Sequence, residues 1–300
     1  MTSGLDGTGM SSELDRAYDY CQRVAKDRAK NFYYAFRTLP SQKRRAIYAA
    51  YAFCRYCDDV ADDELPIEEK RRLLGETHDR LHDSGLRAED PVFMALDSSA
   101  ETFGIPQRYF DEIIEGVEMD LTWTRFENFD QLRTYCYGVA STVGLICIEV
   151  FGYDDPAARE YAIDLGIAMQ LTNVMRDVKE DAERGRIYLP LDEIESFGYS
   201  EDELLDGQVN DRFRALMAFQ ADRARRYFDS GERLIPLLSR ESRACVAVLH
   251  GLYSKILDRI GAADYDVFER RIGLSKREKL FLTARLWAAS LITAVPTAKR

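Results

Sequence analysis

The chain has 300 residues, of which 46% are hydrophobic and 31% charged, and its net charge at pH 7 is −11. This composition is that of an ordinary globular protein and excludes the disordered, collagen-like and disulfide-scaffold classes. The acidic excess repels phosphate backbones, so we expect no nucleic-acid partner. The six cysteines are scattered and mostly lie in apolar stretches, as reduced core thiols do.

Residues 1–12 are rich in Gly, Ser and Thr and lack the basic start and apolar run of a secretory signal, so they are predicted to be a disordered tail before a single domain over 13–295. Apolar residues then recur every three or four positions in Leu14–Ala29 and Ala46–Cys57, which predicts helices with one buried face. The same rhythm returns in 129–151, 157–181, 209–238, 241–261 and 276–293.

Proline and glycine mark short connections between these stretches, and no alternating run flanked by hairpin turns occurs. The sequence therefore predicts an all-α fold. The best candidate for a membrane span, Leu286–Val295, is far shorter than the roughly 20 apolar residues that a span needs. We expect a cytoplasmic protein with no transmembrane helix.

A first acidic cluster follows the helix predicted over Ala46–Cys57. Asp58 and Asp62 are four residues apart, so on a continuing helix they share one face and can hold a hard cation between them. For an acidic run on its own, a solvated helix end is the commoner explanation.

A second acidic cluster makes a cation site the better explanation of the first. Asn173, Asp177 and Asp181 repeat at i, i+4 and i+8 and form an oxygen-lined stripe on a predicted helix. Carboxylate and amide oxygens are ligands that Mg²⁺ accepts together with substrate phosphates. Arg55 and Arg176 flank the clusters, where each guanidinium either binds phosphate oxygens or balances neighbouring carboxylates.

These motifs resemble the squalene/phytoene synthase family. The stretch Gln170–Pro190 is similar to the family signature, and Asp58–Asp62 to its first aspartate-rich motif. Phe32–Phe36 with Leu39-Pro40 resembles the N-terminal substrate motif, and Tyr135–Ala140 with Val143-Gly144 a further block.

The resemblance implies an all-α isoprenoid synthase fold with helices around a central apolar cavity, in which Mg²⁺, with Mn²⁺ as a substitute, and two allylic diphosphates are bound. It assigns metal binding to Asp58, Asp62, Asn173, Asp177 and Asp181. The four aspartates and Tyr135 are thereby also the candidate catalytic residues. For Tyr135, assistance in proton transfer and orientation of diphosphate both stay open, and the released diphosphate is an alternative base.

The resemblance also suggests contacts to the diphosphates and to the isoprenyl chains. The candidate substrate-binding residues are Lys30, Asn31, Phe32, Tyr51, Arg55, Val139, Ala140, Val143, Gly144, Gln170, Asn173, Arg176, Tyr253 and Arg271. Asn31 departs from the pattern, because many members carry Ser there. Phe36, Leu145 and Ile148 are further candidates for the cavity wall, although each alone is equally typical of plain core packing.

The implied reaction is the head-to-head condensation of two farnesyl diphosphates to presqualene diphosphate, with squalene or a C30 relative as a further product if NADPH is used. Phytoene synthesis from two geranylgeranyl diphosphates is the alternative. The segments Tyr33–Phe36 and Ile146–Tyr153 favour the C30 reaction. A single-substrate terpene cyclase and a non-catalytic helical protein are less compatible with an intact set of metal-binding residues.

Because the expected products are hydrophobic, we expect peripheral attachment to the inner face of a membrane through the moderately amphipathic stretch Leu280–Val295. The protein is expected to be a monomer or homodimer. Cys54–Cys57 forms an isolated CxxC without a second pair, which does not indicate a zinc site. His78 and His82 are spaced like a metal pair, but no carboxylate motif accompanies them, so we expect solvated histidines.

Overall fold

The computed structural model describes the backbone of residues 6–292 and the side chains of residues 12–290 apart from those of Lys30 and Asn31. Seventeen α-helices lie in this part of the chain. They are α1 Asp6–Arg28, α2 Lys30–Phe36, α3 Ser41–Asp62, α4 Ile67–His82, α5 Ser84–Ala88, α6 Pro91–Phe103, α7 Arg108–Thr122, α8 Phe129–Cys136, α9 Thr142–Phe151, α10 Ala158–Arg176, α11 Val178–Glu183, α12 Leu191–Ser196, α13 Glu201–Leu205, α14 Asp211–Glu232, α15 Leu234–Leu237, α16 Arg243–Ala262 and α17 Lys276–Ile292.

The all-α prediction is confirmed. Between residues 6 and 292 the structure has only isolated β-bridges, which join Arg125 to Ile187 and Tyr153 to Leu238. Helix α1 begins at Asp6, inside the stretch expected to be a disordered tail, because extending an existing helix costs much less than starting one. Residues 1–5 lie outside the described part of the chain.

Local sequence signals explain where several helices begin and end. The Asp90 side chain accepts a hydrogen bond from the backbone of Val92 at the start of α6, where Pro91 is the first helical residue. The same helix ends at Gly104, whose φ of 66° is the left-handed conformation that glycine adopts without strain. Ser200 and Glu203 form a capping box at α13.

A π-helical turn, Tyr137–Ser141, joins α8 to α9 and was not predicted from the sequence. Glycines let neighbouring backbones approach this turn closely. A Cβ atom built on Gly138 would lie 2.9 Å from the Gly116 Cα atom of α7, and one on Gly166 of α10 would lie 2.6 Å from the Ser141 Cα atom. The π-turn is therefore held between α7 and α10 at distances that no other residue allows.

The helical run Phe129–Phe151 is long and apolar enough to cross a membrane, which the sequence reading did not anticipate. Of the most apolar 18 residues of this run, 56% are buried inside the protein. Core helices of folded domains are often equally long and apolar. We therefore assign the run to the protein core.

Replacing Gly166 with Ala should lower the thermal midpoint of unfolding, because the added methyl meets backbone atoms of Ala140 and Ser141 in the π-turn. Overpacking of this kind costs about 1 to 3 kcal/mol. The matched control is Gly75→Ala in α4, where nothing lies within 4 Å of the added Cβ and helix propensity improves. Calorimetry should show opposite shifts for the two variants; equal shifts would contradict the close packing at the π-turn.

Candidate active site

A cavity of about 280 Å³ lies between the helices. Its wall is mainly apolar, and its carboxylate and amide side chains come from α3 and α10. The lining residues are Phe32, Phe36, Ile47, Ala50, Tyr51, Cys54, Asp58, Val139, Ala140, Val143, Gly144, Cys147, Ile148, Phe151, Ala162, Leu165, Gly166, Met169, Gln170, Asn173, Leu234, Val246 and Leu249.

Helix α3 presents one face to the cavity, and this face changes from apolar to polar along the helix. Ile47, Ala50, Tyr51, Cys54 and Asp58 follow one another at helical spacing, so their side chains form one stripe. The stripe ends in a tyrosine, a cysteine and a carboxylate.

Helix α10 repeats this gradient. Its lining residues begin with Ala162 and Leu165 and end with Gln170 and Asn173, again at helical spacing. Asp58, Gln170 and Asn173 line the same cavity, so the two aspartate-containing motifs meet at one end of it. This is the arrangement that the sequence predicts for two diphosphate-binding stripes.

The apolar part of the wall includes Phe151, the last residue of α9. The Lys43 ammonium group donates hydrogen bonds to the Phe151 carbonyl oxygen at 2.8 Å and to the Ser239 hydroxyl at 2.9 Å, and it lies 2.7 Å from the Glu241 carboxylate. These contacts fix the start of α3 against the end of α9 and keep this part of the wall in place.

Arg55 organises the first aspartate motif. Its guanidinium bonds to Asp59 and lies 3.7 Å from the Asp58 carboxylate and 3.6 Å from the Asp62 carboxylate. The Arg28 guanidinium donates two hydrogen bonds to Asp59, at 2.9 and 3.1 Å. Asp58 is the aspartate of the motif that lines the cavity, because it lies one turn after Cys54 on the same face of α3.

Asp58 has an unusual electrostatic environment. Half of its side-chain surface is accessible, yet it sits in the concave mouth of the cavity with protein atoms around it. This desolvation raises the pKa of Asp58 to about 7; Arg55 opposes the rise, whereas the negative charges of Asp62 and Asp120 add to it. A cation placed here would stabilise the ionised form of this carboxylate.

The second motif is not the continuous helix that the sequence predicts. Helix α10 ends at Arg176 and α11 begins at Val178, with a break at Asp177, although the amide of Asp181 still donates to the Asp177 carbonyl. The Asp177 carboxylate accepts hydrogen bonds from Arg176 at 2.8 and 2.5 Å and from Arg271 at 3.0 and 2.8 Å. Arg176 and Arg271, both predicted to contact diphosphate, are therefore paired with Asp177, which is predicted to bind the metal.

Asp181 lies beside the main cavity, where it lines a small hollow with Arg186 and Tyr188. Burial raises the pKa of Asp181 to about 7, and the nearby Asp177 charge adds to this effect. The Arg184 guanidinium lies 3.9 Å from the Asp62 carboxylate and so links the segment after Asp181 to the first motif.

Asp120, at the end of α7, belongs to this region and was missed in the sequence. Its carboxylate accepts hydrogen bonds from the hydroxyls of Tyr135 at 3.1 Å and Tyr188 at 2.8 Å, and the Arg186 guanidinium donates to its backbone carbonyl. The one sequence signal is a lone aspartate between Met119 and Leu121. Burial raises the pKa of both Asp120 and Tyr135.

Some predicted site residues lie elsewhere. Tyr135 is buried and does not line the cavity, and its catalytic role stays a prediction. The lining prediction for Leu145 is wrong, because this side chain turns into the core beside the lining residue Gly144. Tyr253 is buried with its ring centroid 5.7 Å from that of Phe32, and so supports a lining residue from behind. The side chains of Lys30 and Asn31 lie outside the described part.

The residues at the cavity mouth fit a divalent cation that prefers oxygen ligands. Asn173 Oδ1 is buried and has no hydrogen-bond partner among the described residues, while its Nδ2 atom donates to Gln170 at 3.1 Å. A buried acceptor without a donor is costly unless it binds an ion or ligand. Asn173 with Asp58, Asp62, Asp177 and Asp181 would supply oxygen ligands of the type that Mg²⁺ accepts.

Comparison with known proteins agrees with this geometry. Residues 17–278 match the family Squalene/phytoene synthase. The chain belongs to the squalene/phytoene synthase family. It is therefore a prenyltransferase of the group that condenses prenyl diphosphates head to head.

Similar family members of known sequence include two proteins named as phytoene synthases. The chain is 41% identical over 286 residues to a phytoene synthase of Mycobacterium tuberculosis, covering 93% of each protein. It is 41% identical over 291 residues to a 15-cis-phytoene synthase of Synechocystis sp., covering 92% of this chain and 86% of that one.

Solved structures of the family have the same fold. A dehydrosqualene synthase in complex with ligand superposes with a TM-score of 0.83 at 29% identity, covering 95% of this chain and 100% of that one. A squalene synthase from Alicyclobacillus acidocaldarius gives a TM-score of 0.80 at 27% identity, covering 85% and 97%. The expected isoprenoid synthase fold is confirmed.

Asp177→Asn should reduce turnover by at least about 100-fold, because one negative charge is lost where a cation and a diphosphate are expected to meet. Helical content by circular dichroism should stay nearly unchanged. The matched control is Asp63→Asn, since Asp63 is exposed and, among the described residues, its carboxylate accepts a hydrogen bond only from the neighbouring Glu64 amide. Undiminished activity of Asp177→Asn would refute its predicted metal role.

Proposed function

We propose that the protein is a phytoene synthase, which condenses two geranylgeranyl diphosphates through a cyclopropane intermediate, with Mg²⁺ as its ion and Mn²⁺ as a substitute. The observation that carries the proposal is the 41% identity to proteins named phytoene synthase over nearly the whole chain. The C30 condensation of farnesyl diphosphate, which the sequence segments favour, is the alternative, and the related C30 synthase structures are less similar at 29 and 27% identity.

The first step breaks the bond between C1 and oxygen of one substrate, and the electron pair leaves with the diphosphate. The C1 cation is then attacked by the 2,3 double bond of the second substrate, and loss of a proton closes a cyclopropane ring. A divalent ion held by Asp58, Asp62, Asn173, Asp177 and Asp181 would supply positive charge that neutralises the leaving group. Arg55, 3.7 Å from the lining residue Asp58, and Arg176, paired with Asp177, are positioned to add to that neutralisation.

The apolar part of the cavity protects the reacting carbon atoms. Water would quench an allylic cation, and the wall formed by Phe32, Val139, Val143 and Ile148 offers no nucleophile. The gradient along α3 and α10 therefore matches the substrate, because the diphosphate meets the polar end and the hydrocarbon meets the apolar end.

The second half-reaction decides the need for a reductant. After the second diphosphate leaves, the rearranged cation either loses a proton, which produces a central double bond, or accepts a hydride, which produces a saturated centre. Phytoene keeps the double bond and needs no NADPH. We therefore propose that NADPH is not a cofactor of this protein.

Purified protein incubated with geranylgeranyl diphosphate and Mg²⁺ should form a C40 hydrocarbon with the mass of phytoene, and NADPH should change neither its mass nor its rate of formation. Farnesyl diphosphate should be used with a kcat/KM at least about tenfold lower, because its shorter hydrocarbon chain buries less apolar surface against the cavity wall. Mass spectrometry of hexane extracts makes the measurement, with chelator-treated protein as the control. A C30 product formed faster than the C40 product would overturn the proposal.

We also propose peripheral attachment to a membrane through α17, since the product partitions into lipid. Leu280, Phe281 and Trp287 are 61, 70 and 45% exposed on this helix. The apolar side chains of α17 do not gather on one face, contrary to the amphipathic pattern expected, so these three exposed residues and the basic start Lys276-Arg277 support the proposal. Residues 293–295 lie outside the described part.

Vesicles containing anionic lipid should sediment the protein, and the double variant Leu280→Ser, Phe281→Ser should remain in the supernatant. The expected loss follows from removing two exposed apolar side chains from the contact. Leu86→Ser on α5 is the matched control, because Leu86 is also exposed, at 41%. Equal sedimentation of the double variant and the wild type would contradict the role of α17.

A further inference from the structure

A second cluster of metal-ligating side chains lies at the contact between α4 and α7. His78 and His82 are one turn apart near the end of α4, and their ring centroids are 4.6 Å apart. Asp79 lies between them in the sequence, with its carboxylate 3.9 Å from His78 Nδ1, but the carboxylate that faces both rings is that of Asp111, in the first turn of α7.

The spacing of the three groups suits one small ion. The Asp111 Oδ1 atom lies 3.0 Å from His82 Nε2 and 3.8 Å from His78 Nε2, and the three ligand atoms all lie within 4.8 Å of one another. A tetrahedral ion with bonds of about 2.0 to 2.1 Å holds its ligand atoms about 3.3 Å apart. The two separations from Asp111, 3.0 and 3.8 Å, lie on either side of that value.

We propose that His78, His82 and Asp111 bind one divalent transition-metal ion of the zinc type. Two imidazole nitrogens and one carboxylate are the donors of open zinc sites, in which water fills the remaining position. Mg²⁺ prefers oxygen ligands and does not compete well for imidazole. The chain thus has two sites of different ligand preference, an oxygen-rich one at the cavity and a nitrogen-rich one here.

This site is separate from the cavity. No residue of α4 lines the cavity, and Asp111 precedes Asp120 by nine residues along α7, a rise of about 14 Å. The side chains of His78 and His82 are 51 and 46% exposed, so an ion reaches them from solvent, whereas Asp111 is only 23% exposed and is held in place by its helix.

The ion would join the end of α4 to the start of α7. In the structure the two helices are connected here by the hydrogen bond between His82 and Asp111. Three bonds to one ion would stabilise the folded chain further, because the unfolded chain does not hold the three ligands together.

Isothermal calorimetry of the full chain, free of any purification tag, tests the site with ZnCl₂ as the probe in an excess of MgCl₂ that saturates the oxygen-rich site. The wild type should bind one zinc ion per chain that Mg²⁺ does not displace. His78→Gln, His82→Gln and Asp111→Asn should each weaken this binding at least about tenfold. Zinc at 100 times its dissociation constant should raise the midpoint of thermal unfolding by about 4 °C.

His250→Gln is the matched control, because His250 is the third histidine of the chain and contacts the Phe228 carbonyl on another pair of helices. It should bind zinc as the wild type does. Absence of saturable zinc binding by the wild type would overturn the proposal. So would unchanged binding by His78→Gln and His82→Gln, which would place the ion elsewhere.

Discussion

The structure depends on two helices, α3 and α10, whose cavity-facing side chains are apolar in the N-terminal part of the helix and carry oxygen atoms towards its C-terminal end. Helix α3 ends its stripe at Asp58 and α10 ends its stripe at Asn173, and both residues line one cavity. Helical periodicity makes this arrangement, because a residue every three or four positions stays on one face. One end of the cavity is thereby dry and the other charged, which is the division that a substrate with a hydrocarbon tail and a diphosphate head requires.

Much of this division could be predicted from the sequence, since periodicity and spacing are local properties. The pairing of Asp58 with Asp62 on one helix is of this kind, and α3 does continue to Asp62. The break at Asp177 could not be predicted, because Arg271 binds this carboxylate from 94 residues away. Helix propensity alone favours an uninterrupted helix from Ala158 onward. The ion pairs of Asp177 with Arg176 and Arg271 lie at the residue where the helix is broken.

Helix α7 shows the limit of sequence reasoning most clearly. Asp111 and Asp120 are single aspartates without a motif, and each acquires its partners only through folding. Asp120 accepts a hydrogen bond from Tyr188, 68 residues later, and Asp111 one from His82, 29 residues earlier. Spacing within a segment carries no information about such contacts, so a histidine pair that looks solvated in the sequence faces a carboxylate in the folded chain.

The π-turn between α8 and α9 connects packing to the site. Val139 and Ala140, inside the turn, line the cavity, while Gly138 meets Gly116 of α7 and Ser141 meets Gly166 of α10. An inserted residue in a helix changes which side chains face inward, and such turns are frequent at functional sites. Because backbone contacts fix the turn on both sides, this part of the cavity wall is held in place. The close glycine contacts are thus part of the same requirement as the polar gradient: both keep reactive carbon atoms in a fixed, dry space.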